Sequence, residues 1–405
     1  MKHILFLIII VVTLCYSQSF AQWQTCNGPY GGSLNALTNN GSVVFAGTYS
    51  GGVYQSLDDG ESWIQSNYGL TNTTINCLVM KDQYVFAGTL GGVFRLPPSG
   101  ASWVPVNNGI TFNSIFTLAV SGNHLFAGTY GGGAFVSTNN GNSWTAVNNG
   151  LGSIYIRTST VGFGYVYMGT EGGVFRSNNA GASWTDASNG LNPLSTFSLG
   201  VAGGNLYAGT YNGGVYRSVN EGASWTAVNS GIPANTTVNT FIGVNWNILS
   251  GTYSNGIFVS SNSGGSWTQE NNGFPGNTSL YAFTIKGNLI FAGTNGSGAW
   301  KRILSQIIGI KQIASNVPDK FSLSQNYPNP FNPKTKIKMQ ITKLSDVKLI
   351  VYDALGREVE TLVNKQLRPG IYEVEWGGGS YTSGVYFYRI EAAEFTDTKR
   401  MMLIK

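Results

Sequence analysis

The chain has 405 residues, of which 42% are hydrophobic, 13% aromatic and only 10% charged, with 55 glycines. That much aromatic surface excludes a disordered chain, and the glycines follow no three-residue period, which excludes collagen. Residues 22–304 carry eight basic and eight acidic side chains, so the formal charge of +5 belongs to the two ends; with no excess charge to hold a phosphate backbone, the long central segment is not expected to bind nucleic acid.

In chain order, the first element is a targeting segment. Lys2 and His3 precede an apolar run from Ile4 to Cys15, and Ser19-Phe20-Ala21 places small residues where a signal peptidase reads them. This is the pattern of a secretory signal peptide over residues 1–21, cut after Ala21. The run is too short for about 30 Å of hydrocarbon, so no transmembrane segment is expected to remain. Of the three cysteines, Cys26 and Cys77 stay behind, at different positions of different repeats. With no CxxC and no Cys/His ligand spacing, no metal and no cofactor is expected, and a disulfide is not favoured.

Residues 22–304 are repetitive. Gly-Thr recurs with its glycine at 47, 88, 128, 169, 209, 251 and 293, and Trp at 23, 63, 103, 144, 184, 225 and 267. Each period of about 40 residues holds four short strands between Gly, Asn and Ser turns, in the third repeat Ile115–Val120, Leu125–Ala127, Ala134–Ser137 and Ser143–Val147. One such unit cannot bury both its faces, whereas a ring of them can. The first Trp precedes the first Gly-Thr, and the last repeat lacks a Trp strand. Gln22–Cys26 is therefore expected to supply the missing outer strand and close a seven-bladed β-propeller.

Before the Trp, Ser-x-Asp/Asn-x-Gly-x-x-Trp recurs around Asp58 and Trp63, Asn139 and Trp144, Asn179 and Trp184, Asn220 and Trp225, and Asn262 and Trp267. The second repeat departs from it, with Leu96 and Pro98 in place of Ser and Asp. This pattern resembles the Asp-box hairpin of sialidase-like and sortilin-like propellers. An acidic or amide side chain can accept turn N–H groups, Gly takes positive φ, and Trp is expected to pack over the hairpin. The resemblance speaks for fold rather than chemistry.

Propellers usually bind ligands where the loops joining second and third strands gather. The residues just after Gly-Thr are Tyr49, Leu90, Tyr130, Glu171, Tyr211, Tyr253 and Asn295. Tyr49, Tyr130, Tyr211 and Tyr253, with Glu171, form the candidate ligand-binding set: tyrosines around a mouth offer flat apolar faces and hydroxyls to a glycan or to a surface protein. The opposing reading is that each Tyr packs on its own blade. An enzyme would need a carboxylate pair or an arginine clamp. Only Glu171 lies at the mouth, without an evident partner, and Arg95, Arg176 and Arg217 share one strand position. No catalytic residue is assigned. The expectation is a non-enzymatic binding module, the alternative a secreted glycoside-acting hydrolase of the Asp-box superfamily.

Periodicity ends after Trp300. Residues 305–321 read as a linker, and residues 322–405 as a small β-sandwich with strands expected at Lys336–Ile341, Val347–Tyr352, Glu358–Leu362, Gly370–Trp376, Gly384–Glu391 and Thr398–Ile404, after a proline-rich extended crossing. The pieces Gln325-Asn326-Tyr327-Pro328-Asn329-Pro330-Phe331-Asn332-Pro333, Val351-Tyr352-Asp353-Ala354-Leu355-Gly356-Arg357 and Ser383-Gly384-Val385-Tyr386-Phe387-Tyr388-Arg389 carry a resemblance, together with the terminal Lys399–Lys405. They resemble the C-terminal sorting domain of type IX secretion. The resemblance implies recognition by that machinery, translocation across the outer membrane, removal of the domain by a cut in the linker, and a cargo secreted or attached to the outer cell surface.

Overall fold

The computed structural model describes residues 22–30, 32–244, 247–308, 310–314, 317–378 and 381–405. The expected signal peptide lies outside the described residues. The fold is all-β: a β-propeller followed by a β-sandwich.

Seven four-stranded antiparallel sheets make up the repeat region. The first consists of Leu34–Asn39, Val44–Thr48, Val53–Ser56 and Ile64–Gln65. The next five begin at Ile75, Ile115, Ile156, Thr196 and Val238. In the third, the strands are Ile115–Ser121, His124–Thr129, Gly133–Ser137 and Thr145–Ala146. The seventh sheet joins Leu280–Lys286, Leu289–Thr294 and Ala299–Ile303 to Gln24–Thr25. Gln24 pairs with Lys301 and Thr25 with Trp300, antiparallel. The expected closing strand is thus in place. Each innermost strand packs on the next, and Leu34–Asn39 packs on Leu280–Lys286, which makes the series cyclic.

The glycine of each Gly-Thr is explained by this packing. A Cβ at Gly47 would lie 2.4 Å from Ile75 Cγ2 in the next sheet. The same holds for Gly128 against Ile156, at 2.6 Å, and for Gly293 against Leu34 across the closure, at 2.4 Å. Only glycine lets the neighbouring innermost strand approach this closely. The threonine beside it is buried, and its Oγ1 donates to the carbonyl that ends the hairpin, as Thr48 does to Gly52 at 3.0 Å and Thr89 to Gly92 at 2.8 Å. A buried hydroxyl is thereby satisfied.

The tryptophans do something the local pattern does not disclose. Each sends its indole N–H to a carbonyl of the preceding sheet. Trp103 Nε1 donates to Ser66 O at 2.8 Å, Trp144 to Val106 O at 2.7 Å, Trp184 to Val147 O at 2.7 Å, Trp225 to Ala187 O at 2.7 Å and Trp267 to Val228 O at 2.7 Å. Trp23 and Trp63 complete the cycle through Glu270 O, at 2.8 Å, and Cys26 O, at 3.1 Å. An indole of this kind removes roughly 150–250 Å² from water, about 4–6 kcal/mol as an upper bound, while its N–H finds an acceptor.

The turns ahead of the tryptophans are internally bonded. Asp58 Oδ1 accepts from Ser56 Oγ and from Ser62 N, each at 2.9 Å, and Ser56 Oγ accepts from Gly60 N at 2.7 Å. Asn139 repeats this with Ser137, Gly141 and Ser143. Asn179, Asn220 and Asn262 do likewise. The residue before each Gly is left-handed, as in Asp59 at φ 56° and Asn140 at φ 55°. In four of the five turns a cation of the preceding sheet caps the carbonyl of this residue. Arg95 donates to Asn140 O at 2.7 Å, Arg176 to Glu221 O at 2.5 Å, Arg217 to Ser263 O at 2.7 Å and Lys301 to Asp59 O at 2.8 Å.

The sandwich has two four-stranded sheets around one core that includes Ile337, Val347, Leu349, Val374, Trp376 and Tyr388. The segment expected as a linker is only partly one. Ser305–Ile308 is a helical turn whose Ile307 is buried with Trp23 and Leu280 of the seventh sheet. Ile310–Ala314 is an edge strand on Gly370–Gly377, an eighth strand that its mixed composition does not reveal. The strand begun at Glu358 also runs on to Leu367. The proline-rich crossing covers the edge of the last strand: Phe331 N donates to Met402 O and Ile404 N to Phe331 O, both at 3.0 Å, and Met402 N donates to Asn329 Oδ1 at 3.0 Å. Edge groups that would otherwise stay unpaired are thus blunted.

Candidate functional site

Every innermost strand carries a β-bulge after its first residue, between Leu34 and Ala36 in the first sheet and at equivalent points in the other six. The bulged residues are Asn35, Asn76, Phe116, Arg157, Phe197, Asn239 and Tyr281. A bulge takes a residue out of the ladder and re-aims its side chain. These seven positions therefore ring one end of the propeller, beside the hairpins that follow Gly-Thr. The backbone N–H groups of Tyr49, Tyr130, Glu171, Tyr211 and Tyr253 donate to Ser33, Ser114, Tyr155, Ser195 and Thr237, each just ahead of its own sheet's innermost strand. All five sequence-predicted residues thus gather at one mouth.

They are not equivalent within it. Where the bulged residue is Asn, its amide bridges to the next sheet: Asn35 Nδ2 donates to Ile75 O at 3.1 Å, Asn76 to Ile115 O at 2.8 Å and Asn239 to Leu280 O at 3.1 Å. Across the third to fifth sheets a row of planar groups takes over. Phe116 stacks on Tyr130 with centroids 5.1 Å apart, and the Arg157 guanidinium lies 5.0 Å from the Tyr130 ring and 4.2 Å from that of Phe197. Phe197 in turn stacks on Tyr211 at 5.6 Å. Tyr155 meets Tyr130 edge-on at 5.2 Å. Such offset-stacked and cation–π contacts are each worth about 0.5–2 kcal/mol and make the row rigid.

Glu171 has partners after all. Arg157 Nε donates to its Oε1, Ser195 Oγ to its Oε2, and Tyr130 OH to Oε1 at 3.2 Å. Sequence reasoning misses Arg157 because a lone arginine there does not make an anion clamp. The available signal is a double departure in one repeat: Arg where other repeats have Asn or an aromatic, and Glu where most have Tyr. Burial works to raise the Glu171 carboxyl, yet donation from Ser195, Arg157 and Tyr130 outweighs it and holds the group below its ordinary value. An ionised carboxylate so engaged is a poor proton donor near neutral pH.

The outward-facing surface of the mouth is tyrosine-rich. Tyr49 is 58% exposed, Tyr253 56%, Tyr211 53% and Tyr155 47%. Tyr130 and Glu171 are half-buried. The turn residues Asp58, Asn139, Asn179, Asn220 and Asn262 belong to the hairpins between third and outer strands, away from these loops. All eight cations of residues 22–304 are engaged. Lys81, Arg157, Lys286, Lys301 and Arg302 pair with Asp82, Glu171, Asp59, Glu61 and Glu270, and Arg95, Arg176 and Arg217 hold the turn carbonyls.

Comparison with known proteins separates the two parts. Residues 162–295 match the family described as the DUF6242 beta propeller domain, and residues 325–405 match the secretion system C-terminal sorting domain. No curated protein matches the chain. Among solved structures, PorZ of Porphyromonas gingivalis, described as an essential bacterial surface component of the type IX secretion system, is similar with a TM-score of 0.55 at 15% identity. The similarity covers 93% of this chain and 60% of PorZ, so the chain spans less than two thirds of that protein. YCF48 bound to D1 peptide has a TM-score of 0.57 at 11% identity over 70% of this chain and 96% of its own. The GH74 xyloglucanase of Xanthomonas campestris has 0.55 at 13% over 79% and 59%. At these identities the likeness is one of fold. Among the described residues no helix is long and apolar enough to cross a membrane. Residues 325–405 are a type IX sorting domain, which directs the propeller ahead of it to secretion and the cell surface.

Proposed function

We propose that this protein is a non-enzymatic binding module: a seven-bladed Asp-box propeller, exported behind a signal peptide cut after Ala21, that the sorting domain passes to the type IX machinery for translocation across the outer membrane. Its contact surface is the mouth bearing Tyr49, Tyr130, Glu171, Tyr211 and Tyr253. The observation that carries this is the clustering of exposed tyrosines on a rigid rim whose one acidic group, Glu171, already holds three donors. Amphipathic rings on a preorganised frame favour binding, because little ordering entropy is lost on contact. A carboxylate committed to Arg157 and Ser195 does not favour general acid work.

The test is binding of the full chain to a neutral-glycan array and to a displayed peptide library. It is run beside a Tyr49→Ser/Tyr211→Ser/Tyr253→Ser variant and an Ile64→Ser variant on an outer strand. Binding should fall in the first and persist in the second. Release of sugar from a polysaccharide, abolished by Glu171→Gln, would instead establish a glycoside hydrolase.

A further inference from the structure

We infer that the mouth takes a polypeptide, an extended segment poor in charge and anchored by an apolar or aromatic side chain, and that the anchor seats over the third to fifth sheets. This rests on the binding reading above and adds the ligand class and the place of contact.

Three observations converge. The first is composition. The hairpins at the mouth read Tyr49-Ser50-Gly51-Gly52, Tyr130-Gly131-Gly132-Gly133, Tyr211-Asn212-Gly213-Gly214 and Tyr253-Ser254-Asn255-Gly256. Tyr with Ser, Gly and Asn is the composition of protein-binding paratopes: Tyr gives broad contact area at little entropic cost, and the small polar residues adapt their hydrogen bonds. The second is the company the tyrosines keep. Phe112, Ile154 and Leu194 are exposed in the loops that enter the third, fourth and fifth sheets, where Phe112 lies against Gly131 and Gly132 and Leu194 near Gly173. Aliphatic side chains offer nothing to sugar hydroxyls but cover an apolar peptide side chain well, at about 25 cal/mol per Å² removed from water.

The third is electrostatic. Arg157 and Glu171 neutralise each other within the stacked row, where the guanidinium lies between two rings. The faces of Tyr130 and Phe197 are used within the row, so ring stacking by a flat sugar is left mainly to the outermost rings. What the row presents instead is a stiff ridge without net charge. A charged partner would gain no counter-charge there and would lose hydration. On the opposite arc, Asn35, Asn76 and Asn239 have spent their amides on neighbouring strands.

The full chain is panned against a displayed library of random peptides and, in parallel, applied to a neutral-glycan array. Enriched peptides should be poor in Asp, Glu, Lys and Arg, with a recurrent apolar or aromatic position. Their affinity should be steady between about 50 and about 500 mM salt, because an uncharged peptide forms no ion pair with the mouth for salt to screen. Tyr155→Ser and Tyr211→Ser should each weaken the best peptide about tenfold or more, the loss of one hot spot. Tyr49→Ser, on the other arc, should weaken it less than about threefold, all variants being shown folded by circular dichroism. Enrichment of charged, salt-sensitive peptides overturns the inference. So does glycan binding alone, which leaves the mouth reading standing if the mouth variants abolish it. Peptide binding indifferent to every mouth variant, or no binding in either format, overturns both.

Discussion

Trp23 and Glu270 stand 247 residues apart in the chain and are joined by a 2.8 Å hydrogen bond from the indole Nε1 to the backbone carbonyl. Trp23 N also donates to Asn272 O at 2.8 Å, and its ring stacks on Phe274 with centroids 4.9 Å apart. One residue near the start of the described chain thus holds the sixth and seventh sheets together. Trp23→Ala should cost about 3–5 kcal/mol, the usual loss for a buried tryptophan with its cavity. Urea denaturation checks this. An unchanged midpoint would mean the ring does not depend on the closing segment.

The Gly-Thr glycines make a cleaner packing test, because Gly47, Gly128 and Gly293 do not occupy the left-handed region. Gly293→Ala would put a methyl group 2.4 Å from Leu34 Cδ2 and 2.8 Å from Leu34 O. Backbone cannot yield as a side-chain tip can, so a loss of about 1–3 kcal/mol or more is expected. Gly276→Ala has nothing within 4 Å and should be nearly neutral. Thermal melts of the two variants decide it.

Asp58 should make its turn sensitive to acid where the Asn turns are not. Donation from the Ser62 hydroxyl and backbone and from the Ser56 hydroxyl lowers its carboxyl from 3.8 to about 2. A depressed folded value means the stabilisation is complete above the unfolded value, near 3.8, and is lost as pH falls towards about 2. Asp58→Asn should leave stability near neutral pH almost unchanged, because Asn139 engages the equivalent partners, its Nδ2 donating to the Ser143 hydroxyl where Asp58 accepts from Ser62, and should flatten the profile below pH 3.8. A parallel acid profile for variant and parent would contradict this.

Arg157 and Glu171 are coupled. Both side chains are partly shielded, at 25% and 30% exposure. A double-mutant cycle through Arg157→Met and Glu171→Gln should return about 0.5–3 kcal/mol, towards the lower end because water screens the pair. With the Glu171 carboxyl held below its ordinary value, the coupling should be present at neutral pH and fade as acid protonates it. Additive single losses would show that the pair is incidental.

In the sorting domain, the Tyr388 hydroxyl donates to Ser324 O at 2.8 Å and accepts from Asn326 N at 2.7 Å. Burial pushes this phenol up from its ordinary value. Tyr388→Phe would leave two backbone groups of the crossing unpaired, at about 1–3 kcal/mol. Less of the variant should reach the medium or the cell surface, read by immunoblot of fractions. Undiminished export would show that the crossing is dispensable for recognition.

Much of this architecture is legible in the sequence because it repeats. Gly-Thr and Trp recur at a fixed period, and the placement of Trp23 before the first repeat discloses how the ring closes. What is hidden lies between repeats. Nothing local says that Gly47 faces Ile75, or that Trp144 donates to the preceding sheet, since both contacts cross to another unit. The bulges are equally hidden, so Phe116, Arg157 and Phe197 pass as ordinary strand residues. Ile310–Ala314 escapes because its mixed apolar and polar residues make too short a pattern to mark a strand outside the repeat.

If the mouth, and not the turn-bearing end or the tail, contacts the partner, only the mouth should be shielded when a ligand binds. Hydrogen–deuterium exchange of the full chain, with and without the tightest peptide from the library, tests it most directly. Exchange should slow in the loops around Tyr155, Ser195 and Tyr211, and stay unchanged in the turns around Asp58, Asn139 and Asn220. Protection centred on those turns, or confined to residues 325–405, would contradict it.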